Sequence, residues 1–498
     1  MTELTGKSIA DRVHGQLACR LALAAALWGV MAGLVYWQQG LTLSHYDARG
    51  HLVVARRVVD SLTPGWLQLG AVWLPLPHVL NLVPVQVDAW YRTGGSGVAM
   101  SILSIALLVY STARLILRHT GAPAAAVFAA LVVVTNPNVL YLQSTPMTEP
   151  LLLGLLAWAL WRVTRAMELQ TPRARLAASA AIAMAVMTRY EAWPFAGALL
   201  AAVPVASWRA GRGWRAGLTA AGAMALGPVA ACLWFFVHSK VTVGSWFVTG
   251  GFYVPDPAYQ FQPLTVTGAV WWGLRQLGSE TLAYALAASV VLTGTWWWRQ
   301  RLPSTAVLAL AWLAVAALPW YAFFQGHPFR IRYMIPLVVG SAVVVSLAIG
   351  RLPRGRALAA AALLAGIWWT SRPFDPGAAM VLEAQWDRPR SLERRAVTRC
   401  LPTPGGDETV MASMGSLAHY MHELSASGFA LRDFLHEGNG DLWLQALERP
   451  GDYVRWILVE ERAEGGDMLA LRAAGEPAFL AGFTRLCEGG GVALYGLQ

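Results

Sequence analysis

Charged residues are scarce in this sequence. Asp, Glu, Lys and Arg make up 13% of its 498 residues, and 56% are hydrophobic, whereas soluble domains carry about 25% charged residues. This shortage excludes one or two soluble domains of the same total length. It predicts a membrane protein that crosses the bilayer several times.

Cysteine is also rare, and its spacing excludes a zinc site of the usual kind. The four cysteines are Cys19, Cys232, Cys400 and Cys487, and none forms a C-x-x-C or a Cys–His pattern. Cys19 and Cys232 lie in apolar segments, where we expect them to pack. Cys400 and Cys487 share the C-terminal region, where a disulfide is an open alternative if that region is exported.

Two further motifs are missing. The first apolar segment, 17–37, lacks a small-residue cleavage site, so it is interpreted as a retained signal anchor. No phosphate-binding loop for a nucleotide is present, because the glycines at 489–491 lie between two strand-like runs and suit a hairpin turn.

Apolar segments long enough for a membrane helix recur up to residue 371. We predict about eleven, centred near residues 27, 107, 131, 158, 182, 200, 226, 289, 313, 341 and 364. Residues 1–371 form the transmembrane domain, with a long first outer loop at 38–97. Residues 372–498 have the composition of a small soluble α/β domain, with strands near 409–413, 456–459, 483–487 and 492–495.

Acidic residues are rare in the transmembrane domain, which holds 26 Lys and Arg but only 10 Asp and Glu. The basic residues concentrate at every second connection, as cytoplasmic loops do. This places the N-terminus in the cytoplasm and the C-terminal domain outside an integral, multi-pass cell-membrane protein. Because the basic residues follow the pattern of cytoplasmic loops, nucleic acid is not expected as a partner. Membrane lipids are the expected partners.

The few acids divide unequally between the two sides. Only Glu3, Asp11 and Glu168 map to the cytoplasm. Seven map outward: Asp47, Asp60, Asp88, Glu149, Glu191, Asp256 and Glu280. Carboxylates beside apolar spans are costly and usually functional, so the outer face is where we expect chemistry.

The long outer loop contains an amphipathic pattern at 49–62, with Leu52, Ala55, Val59 and Leu62 on one helical stripe. This pattern predicts a helix lying in the membrane interface.

Three short outer motifs carry the candidate chemistry. The first is Ser-His-Tyr-Asp-Ala-Arg-Gly-His at 44–51, the second is Gln-Ser-Thr-Pro-Met-Thr-Glu-Pro at 143–150, and the third is Thr-Arg-Tyr-Glu at 188–191. An Asp early in a long first outer loop, a Glu-Pro opening the fourth span and an Arg-Tyr-Glu after the fifth resemble the GT-C superfamily of membrane glycosyltransferases. The nearest branch is similar to the protein O-mannosyltransferases and the lipid A aminoarabinose transferases.

This resemblance implies transfer of a hexosyl or pentosyl group from a polyprenyl-phosphate donor to a lipid, glycan or protein acceptor outside the cytoplasm. It places Asp47 and Glu149 as the catalytic acids. The mannosyltransferase branch usually has a second acid after the first, whereas this chain has Ala48. That difference weakens the inference of mannose and of a protein acceptor.

Elementary chemistry supports these roles. A carboxylate can accept the proton of an attacking hydroxyl, and we assign this to Asp47; a single displacement inverts the anomeric centre. A leaving phosphate needs cations or donors. The substrate-binding candidates are Arg189, Glu191, Arg275, Arg330, Arg332, His51 and Tyr333. The sequence identifies no cofactor, although outer histidines including His51 leave a divalent metal open.

Structural alternatives stand beside these roles. Asp47 would also suit an N-cap, and Glu149 a first helical turn beside Pro150. Arg189 and Glu191 would suit an interfacial ion pair, and the arginines at 330 and 332 headgroup anchors. A transporter or flippase of a lipid-linked saccharide is the alternative function, although the inverted repeats typical of transporters are not evident. An envelope scaffold is a third.

Overall fold

The structure is a computed structural model that describes residues 9–248, 253–404, 409–462 and 466–498; Glu3 lies outside them. Helices build the first 370 residues. In chain order they are α1 (Ile9–Gln38), α2 (Tyr46–Arg56), α3 (Leu76–Asn81), α4 (Asp88–Thr93), α5 (Gly95–Thr120), α6 (Pro123–Thr135), α7 (Pro137–Leu142), α8 (Glu149–Leu169), α9 (Pro172–Val186), α10 (Ala192–Arg209), α11 (Trp214–Val243), α12 (Pro263–Gly278), α13 (Glu280–Trp298), α14 (Ala317–Phe324), α15 (Ile335–Arg351) and α16 (Arg356–Thr370). Short 3₁₀ helices include Ile331–Met334, which leads into α15, and Ser304–Ala316, which leads into α14.

Every predicted segment centre falls within a helical stretch, and five or six of these stretches are candidate membrane spans. Five described stretches are long and apolar enough to cross a membrane: Asp11–Gln38, Gly95–Thr120, Trp214–Val243, Ser304–Phe324 and Ile331–Arg351. A sixth is formed if α12 and α13, which bend by 117° at their junction, count as one span. The multi-pass architecture is therefore supported, whereas the count of eleven is not confirmed.

The bend between α12 and α13 has a local cause. Ser279, at the junction, adopts a positive φ of 91° and its side chain accepts a hydrogen bond from the Leu282 N–H, which starts α13. The side-chain amides of Asn136 and Asn138 donate to the carbonyl of Leu277 at 2.7 and 3.1 Å. These bonds satisfy a carbonyl that the helix break releases.

Glycine permits the closest approach among the central helices. A Cβ added to Gly154 in α8 would lie 2.5 Å from the carbonyl oxygen of Ser104 in α5. The helices therefore cross with their backbones almost in contact, as small residues allow in membranes. This crossing fixes the position of α8, whose first residue is Glu149.

The C-terminal region is an α/β domain. Its helices are α17 (Ala379–Glu383), α18 (Arg388–Glu393), α19 (Arg395–Thr398), α20 (Met414–Leu424), α21 (Asp441–Glu448) and α22 (Met468–Gly475). Its strands are β1 (Val410–Ala412), β2 (Phe434–Leu435), β3 (Trp456–Glu460), β4 (Phe483–Gly489) and β5 (Val492–Leu497). The sheet order is β2-β1-β3-β5-β4; β1 pairs in parallel with β2 and β3, and the other pairs are antiparallel.

The C-terminal domain can be compared with three features predicted from the sequence: its strands, its hairpin turn and its disulfide. The four predicted strands are present, and the two-residue strand β2 is additional. Gly490 and Gly491 have positive φ values of 60° and 87° in the β4–β5 turn, as the hairpin interpretation requires. Cys400 and Cys487 form a disulfide with Cα atoms 6.4 Å apart, which settles the pairing that the sequence left open.

The prediction of an interfacial helix in the first outer loop was wrong. The helix is α2, which ends at Arg56, and Leu52, Val53 and Ala55 are completely buried. Leu52 and Val53 belong to one core with Leu417 of α20. The first half of the predicted stripe, Leu52 and Ala55, therefore packs against the C-terminal domain, whereas Val59 and Leu62 lie beyond the helix and are exposed.

Candidate active site

Asp47 is presented by the first turn of α2. His45 is the N-cap, because its Nδ1 accepts a hydrogen bond from the backbone N–H of Asp47 at 3.1 Å. The alternative in which Asp47 itself caps the helix is therefore wrong. Its carboxylate is free to point away from the helix end, and it contacts Arg332 instead.

Arg332 connects three carboxylates from distant parts of the chain. Its guanidinium lies 2.5 Å from Asp47, 3.9 Å from Glu383 and 4.0 Å from Glu149. The side chain is 8% exposed, and the 3₁₀ turn Ile331–Met334 holds it at the start of α15. We call Asp47, Glu149, Arg189, Glu191, Arg332, Glu383 and His45 the charge cluster.

Arg189 extends the charge cluster on its other side. Its guanidinium lies 3.1 Å from Glu149 and donates to Glu191 at 2.9 Å and to the Thr148 hydroxyl at 3.0 Å. Glu149 is fully buried at the first position of α8. The pair of Arg189 and Glu191 is therefore not an isolated interfacial ion pair, since it joins the motifs at 143–150 and 188–191.

Glu383 and His45 are members of the charge cluster that the sequence did not reveal. The Nε2 of His45 lies 3.3 Å from Glu383. The Nδ1 of the same ring accepts the Asp47 N–H, while Nε2 faces both Glu383 and Nη1 of Arg332, at 3.2 Å from the latter. His45 belongs to a motif already singled out, whereas Glu383 follows it by 338 residues and has no local signal.

Two sets of contacts hold Glu383 in place. At the start of α17, the Met380 N–H donates to the side-chain oxygen of Asn138 at 3.0 Å, which ties the segment to α7. Further along, Arg394 forms a two-pronged ion pair with Asp387 at 3.1 and 2.7 Å and also donates to Glu423 at 2.8 Å. Arg49 of α2 pairs with the same Glu423. The C-terminal domain is thus anchored beside Asp47.

The electrostatics of the charge cluster favour ionised carboxylates outside the spans. Burial raises the pKa of Asp47, but the positive charge of Arg332 outweighs burial and holds that pKa below its usual range. Burial likewise raises the pKa of Glu383, while the hydrogen bond from His45 and the charge of Arg332 lower it overall. Both groups therefore carry negative charge at neutral pH.

His51 lies one helical turn beyond Asp47, in a second buried group. Its Nδ1 is 3.1 Å from Nε2 of His78, and its ring contacts Trp73 at a tilt of 40° with centroids 4.1 Å apart. Burial lowers the pKa of His51 well below its usual value and lowers the pKa of His78 to about 3. Both imidazoles are therefore neutral at pH 7.

The remaining predicted residues divide between near and distant positions. Tyr333 follows Arg332 and places its ring centroid 5.9 Å from that guanidinium. Arg330 is half-buried, and its charge acts on Tyr46 next to Asp47. Among the described residues, Arg275 pairs with the exposed Glu280 at the bend between α12 and α13 and with no member of the charge cluster, so its predicted place in the site is not supported.

The described residues contain no group of three or more His, Cys, Asp or Glu arranged to hold a metal ion. The divalent metal left open by the outer histidines therefore finds no such ligand set in residues 9–248, 253–404, 409–462 and 466–498. In the charge cluster each carboxylate lies within 4.0 Å of a guanidinium, so the carboxylates already have cationic partners.

Similarity to known proteins is found among solved structures. No protein-family model matches the chain, and no curated protein does either. Among solved structures, ArnT from Cupriavidus metallidurans bound to undecaprenyl phosphate is similar with a TM-score of 0.58 and 13% identity, over 94% of this chain and 97% of ArnT. The apo oligosaccharyltransferase of Archaeoglobus fulgidus has a TM-score of 0.49 and 12% identity, over 89% of this chain and 69% of that one.

The likeness to ArnT spans nearly the whole of both chains, including the C-terminal domain. At this identity it establishes the fold. The resemblance to GT-C membrane glycosyltransferases noted from the three motifs is thereby confirmed at the level of fold.

Proposed function

We propose that this chain is a membrane glycosyltransferase that moves a sugar from a polyprenyl-phosphate donor to an acceptor outside the cytoplasm. The observation that carries the proposal is the charge cluster, in which one buried arginine contacts Asp47, Glu149 and Glu383. Its support is the fold shared with ArnT, whose structure contains undecaprenyl phosphate. Such a ligand presents a phosphate beside an apolar chain, which suits buried guanidiniums between membrane helices.

Asp47 is the base in this proposal. It would accept the proton of the acceptor hydroxyl as that oxygen attacks the anomeric carbon and the bond to the lipid phosphate breaks. One displacement by this route inverts the anomeric centre. Glu149 stays fully buried between Arg189 and Arg332, so its role is to hold the two guanidiniums side by side.

Arg332 and Arg189 hold the leaving phosphate. Guanidinium forks bind phosphate oxygens through paired charge-assisted hydrogen bonds. Arg330, His51 and Tyr333 stand close enough to line the substrate site around them, whereas Arg275 is left out of the proposal.

The acceptor site is assigned to the junction between the transmembrane and C-terminal domains. Glu383 reaches the charge cluster from the C-terminal domain, and Arg49 of α2 joins Glu423 of that domain. An acceptor lipid, glycan or protein bound at this junction would meet Asp47. The concentration of arginines at every second connection supports an extracytoplasmic position for this junction.

Transport of a lipid-linked saccharide is the second candidate function. One observation favours it: the pair α12 and α13 bends by 117° at Ser279, and broken helices are typical of transporter sites. The charge cluster does not include this bend, so the observation supports transport less strongly than the cluster supports transfer.

The deciding experiment supplies the purified protein with a labelled polyprenyl-phosphate sugar and a panel of acceptors, and measures release of the sugar from the lipid. Wild type and Asp88→Asn, which changes an exposed acid of the same loop (59% exposed), are expected to turn over. Asp47→Asn is expected to lose at least a hundredfold in rate, the lower range of general-base catalysis (about 10²-fold).

Two results would count against the proposal. Equal turnover by Asp47→Asn and wild type would remove Asp47 as the base. Donor movement across proteoliposomes without any release of sugar would favour transport.

A further inference from the structure

A basic cavity lies at the end of α5 and α8 remote from the charge cluster. It has a volume of 270 Å³, many times the ~10–15 Å³ that one water molecule needs. Its lining consists of Tyr110, Arg114, Trp161, Arg162, Arg165, Leu169 and Ala174. Arg162 follows Glu149 by thirteen residues of α8, which is roughly 20 Å along a helix.

Two arginine side chains of this cavity pack against the ring of Trp161. The guanidinium carbons of Arg114 and Arg165 lie 5.2 and 5.7 Å from its ring centroid. Contacts of this kind stabilise a guanidinium by about 0.5–1 kcal/mol at exposed sites. The 6% exposed indole therefore fixes two like charges beside the third, that of Arg162.

Among the described residues, a neighbouring acid pairs with only one of these three arginines. Glu168 pairs with Arg165 and Arg118. In the parts of the chain that the structure describes, Arg114 and Arg162 have no carboxylate within salt-bridge distance. The Nε of Arg162 is buried without a hydrogen-bond partner, although the guanidinium lines the cavity.

The backbone around the cavity makes room for this arrangement. A Cβ added to Gly15 in α1 would lie 2.8 Å from a guanidinium nitrogen of Arg114. Leu169, at the end of α8, is 51% exposed beside the arginines. Apolar surface next to unpaired guanidiniums is the pattern that a lipid headgroup and its first carbons would match.

We propose that this cavity binds a phosphate group, supplied by an anionic phospholipid of the membrane leaflet opposite the active site. Guanidiniums bind phosphate through two parallel hydrogen bonds, and three of them converge here without sufficient carboxylate. The proposal is independent of glycosyl transfer, because the cavity and the charge cluster share no residue.

The test uses full-length, delipidated protein and three probes. Binding of phosphatidylglycerol is measured by native mass spectrometry, inorganic phosphate is added as a competitor, and oleate serves as an anion without phosphate. The variant Arg114→Gln/Arg162→Gln removes the two unpaired cations. The matched control Arg215→Gln/Arg354→Gln removes the same charge from two exposed arginines of connections on the same predicted side.

We expect the cavity variant to bind phosphatidylglycerol at least tenfold more weakly than wild type, and the control to stay within about twofold. The variant Arg114→Lys/Arg162→Lys keeps the charge but loses the fork, so intermediate affinity is expected. Displacement of the lipid by inorganic phosphate would identify free phosphate as a sufficient ligand, and its failure would identify the lipid as the source.

Three results would overturn the proposal. They are oleate binding as tight as phosphatidylglycerol binding, equal losses in the cavity and control variants, and no saturable binding of either phosphate probe. Thermal midpoints measured without lipid check that each variant is folded, and the lysine variant keeps the test decisive if the glutamine variant is not.

Discussion

Replacement of Arg332 by Gln is predicted to damage the fold far more than replacement of Asp47 by Asn. Arg332 is the cation that three carboxylates share. Its guanidinium lies 2.5 Å from Asp47, 3.9 Å from Glu383 and 4.0 Å from Glu149. At an effective dielectric constant near 20, one such pair at 4 Å is worth about 4 kcal/mol before desolvation. Removing one partner of a buried pair costs about 3–5 kcal/mol.

Asp47→Asn, in contrast, removes one carboxylate and leaves Arg332 with its other ionic partners. In Asp47→Asn, Arg332 keeps Glu149 and Glu383, and its side chain is already 8% exposed, so we expect a loss of about 1 kcal/mol or less. Arg330→Gln is the matched control, because this half-buried arginine lies two residues away and has no ion pair among the described residues.

The assay is thermal unfolding of each detergent-purified variant, followed by the fluorescence of the 24 tryptophans. With an unfolding entropy of about 2.1 cal/mol/K per residue, a chain of 498 residues shifts by roughly 1 °C per kcal/mol, so Arg332→Gln should lower the midpoint by roughly 3–5 °C. Adding Asp47→Asn to it should recover part of the loss, because one stranded carboxylate is removed. The reasoning fails if Arg332→Gln unfolds no earlier than Arg330→Gln, or if the two single cluster variants are equally unstable.

Three further predictions concern other parts of the molecule. Glu383→Gln removes a charge beside Arg332 and His45 Nε2, and should lower kcat about tenfold, the effect of about 1.4 kcal/mol; an unchanged kcat would contradict this. The folded-state pKa of His78 is about 3 against about 6.5 unfolded, so the unfolded chain takes up the proton first and stability falls as pH drops from 6.5 to 3. At pH 5 the resulting loss in the free energy of unfolding is about 2 kcal/mol. His78→Gln should therefore reduce the dependence of the unfolding midpoint on pH. Cys400→Ser removes the disulfide between two cysteines 87 positions apart. The loop-entropy model predicts that this lowers the free energy of unfolding by about 4–5 kcal/mol; equal proteolysis of the C-terminal domain in variant and wild type would refute the prediction.

Local patterns predicted most helical segments because each depends on its own residues. Apolar runs gave the helix centres, and Asn136 with Pro137 or Thr171 with Pro172 mark the starts of α7 and α9. In the C-terminal domain, alternating apolar residues and turn glycines gave four strands and their hairpin. Asp47, Glu149, Arg189, Glu191 and Arg332 were all expected in the site, and the structure brings them together.

What could not be predicted depends on contacts between distant parts of the chain. Whether the apolar face of α2 meets lipid or protein is decided by α20, some 360 residues later. Glu383 sits in a short helix of ordinary composition and becomes part of the site only because α17 docks on α7. The count of eleven spans is not confirmed, since α6, α9 and α16 are apolar but only 13, 15 and 15 residues long, shorter than the roughly twenty residues that cross a bilayer.

The charge balance of the cluster bears on how the proposed reaction would start. Four carboxylates face two guanidiniums, so a donor phosphate cannot simply be added to a site that is already negative. It must take a guanidinium from a carboxylate, and the Arg332–Asp47 pair is the more exposed, with 12% of the Asp47 side chain accessible and none of Glu149. Loss of that arginine removes the charge that depresses the pKa of Asp47, so Asp47 becomes a stronger base only when the donor is bound. A site arranged in this way would leave Asp47 a weak base until a donor arrives.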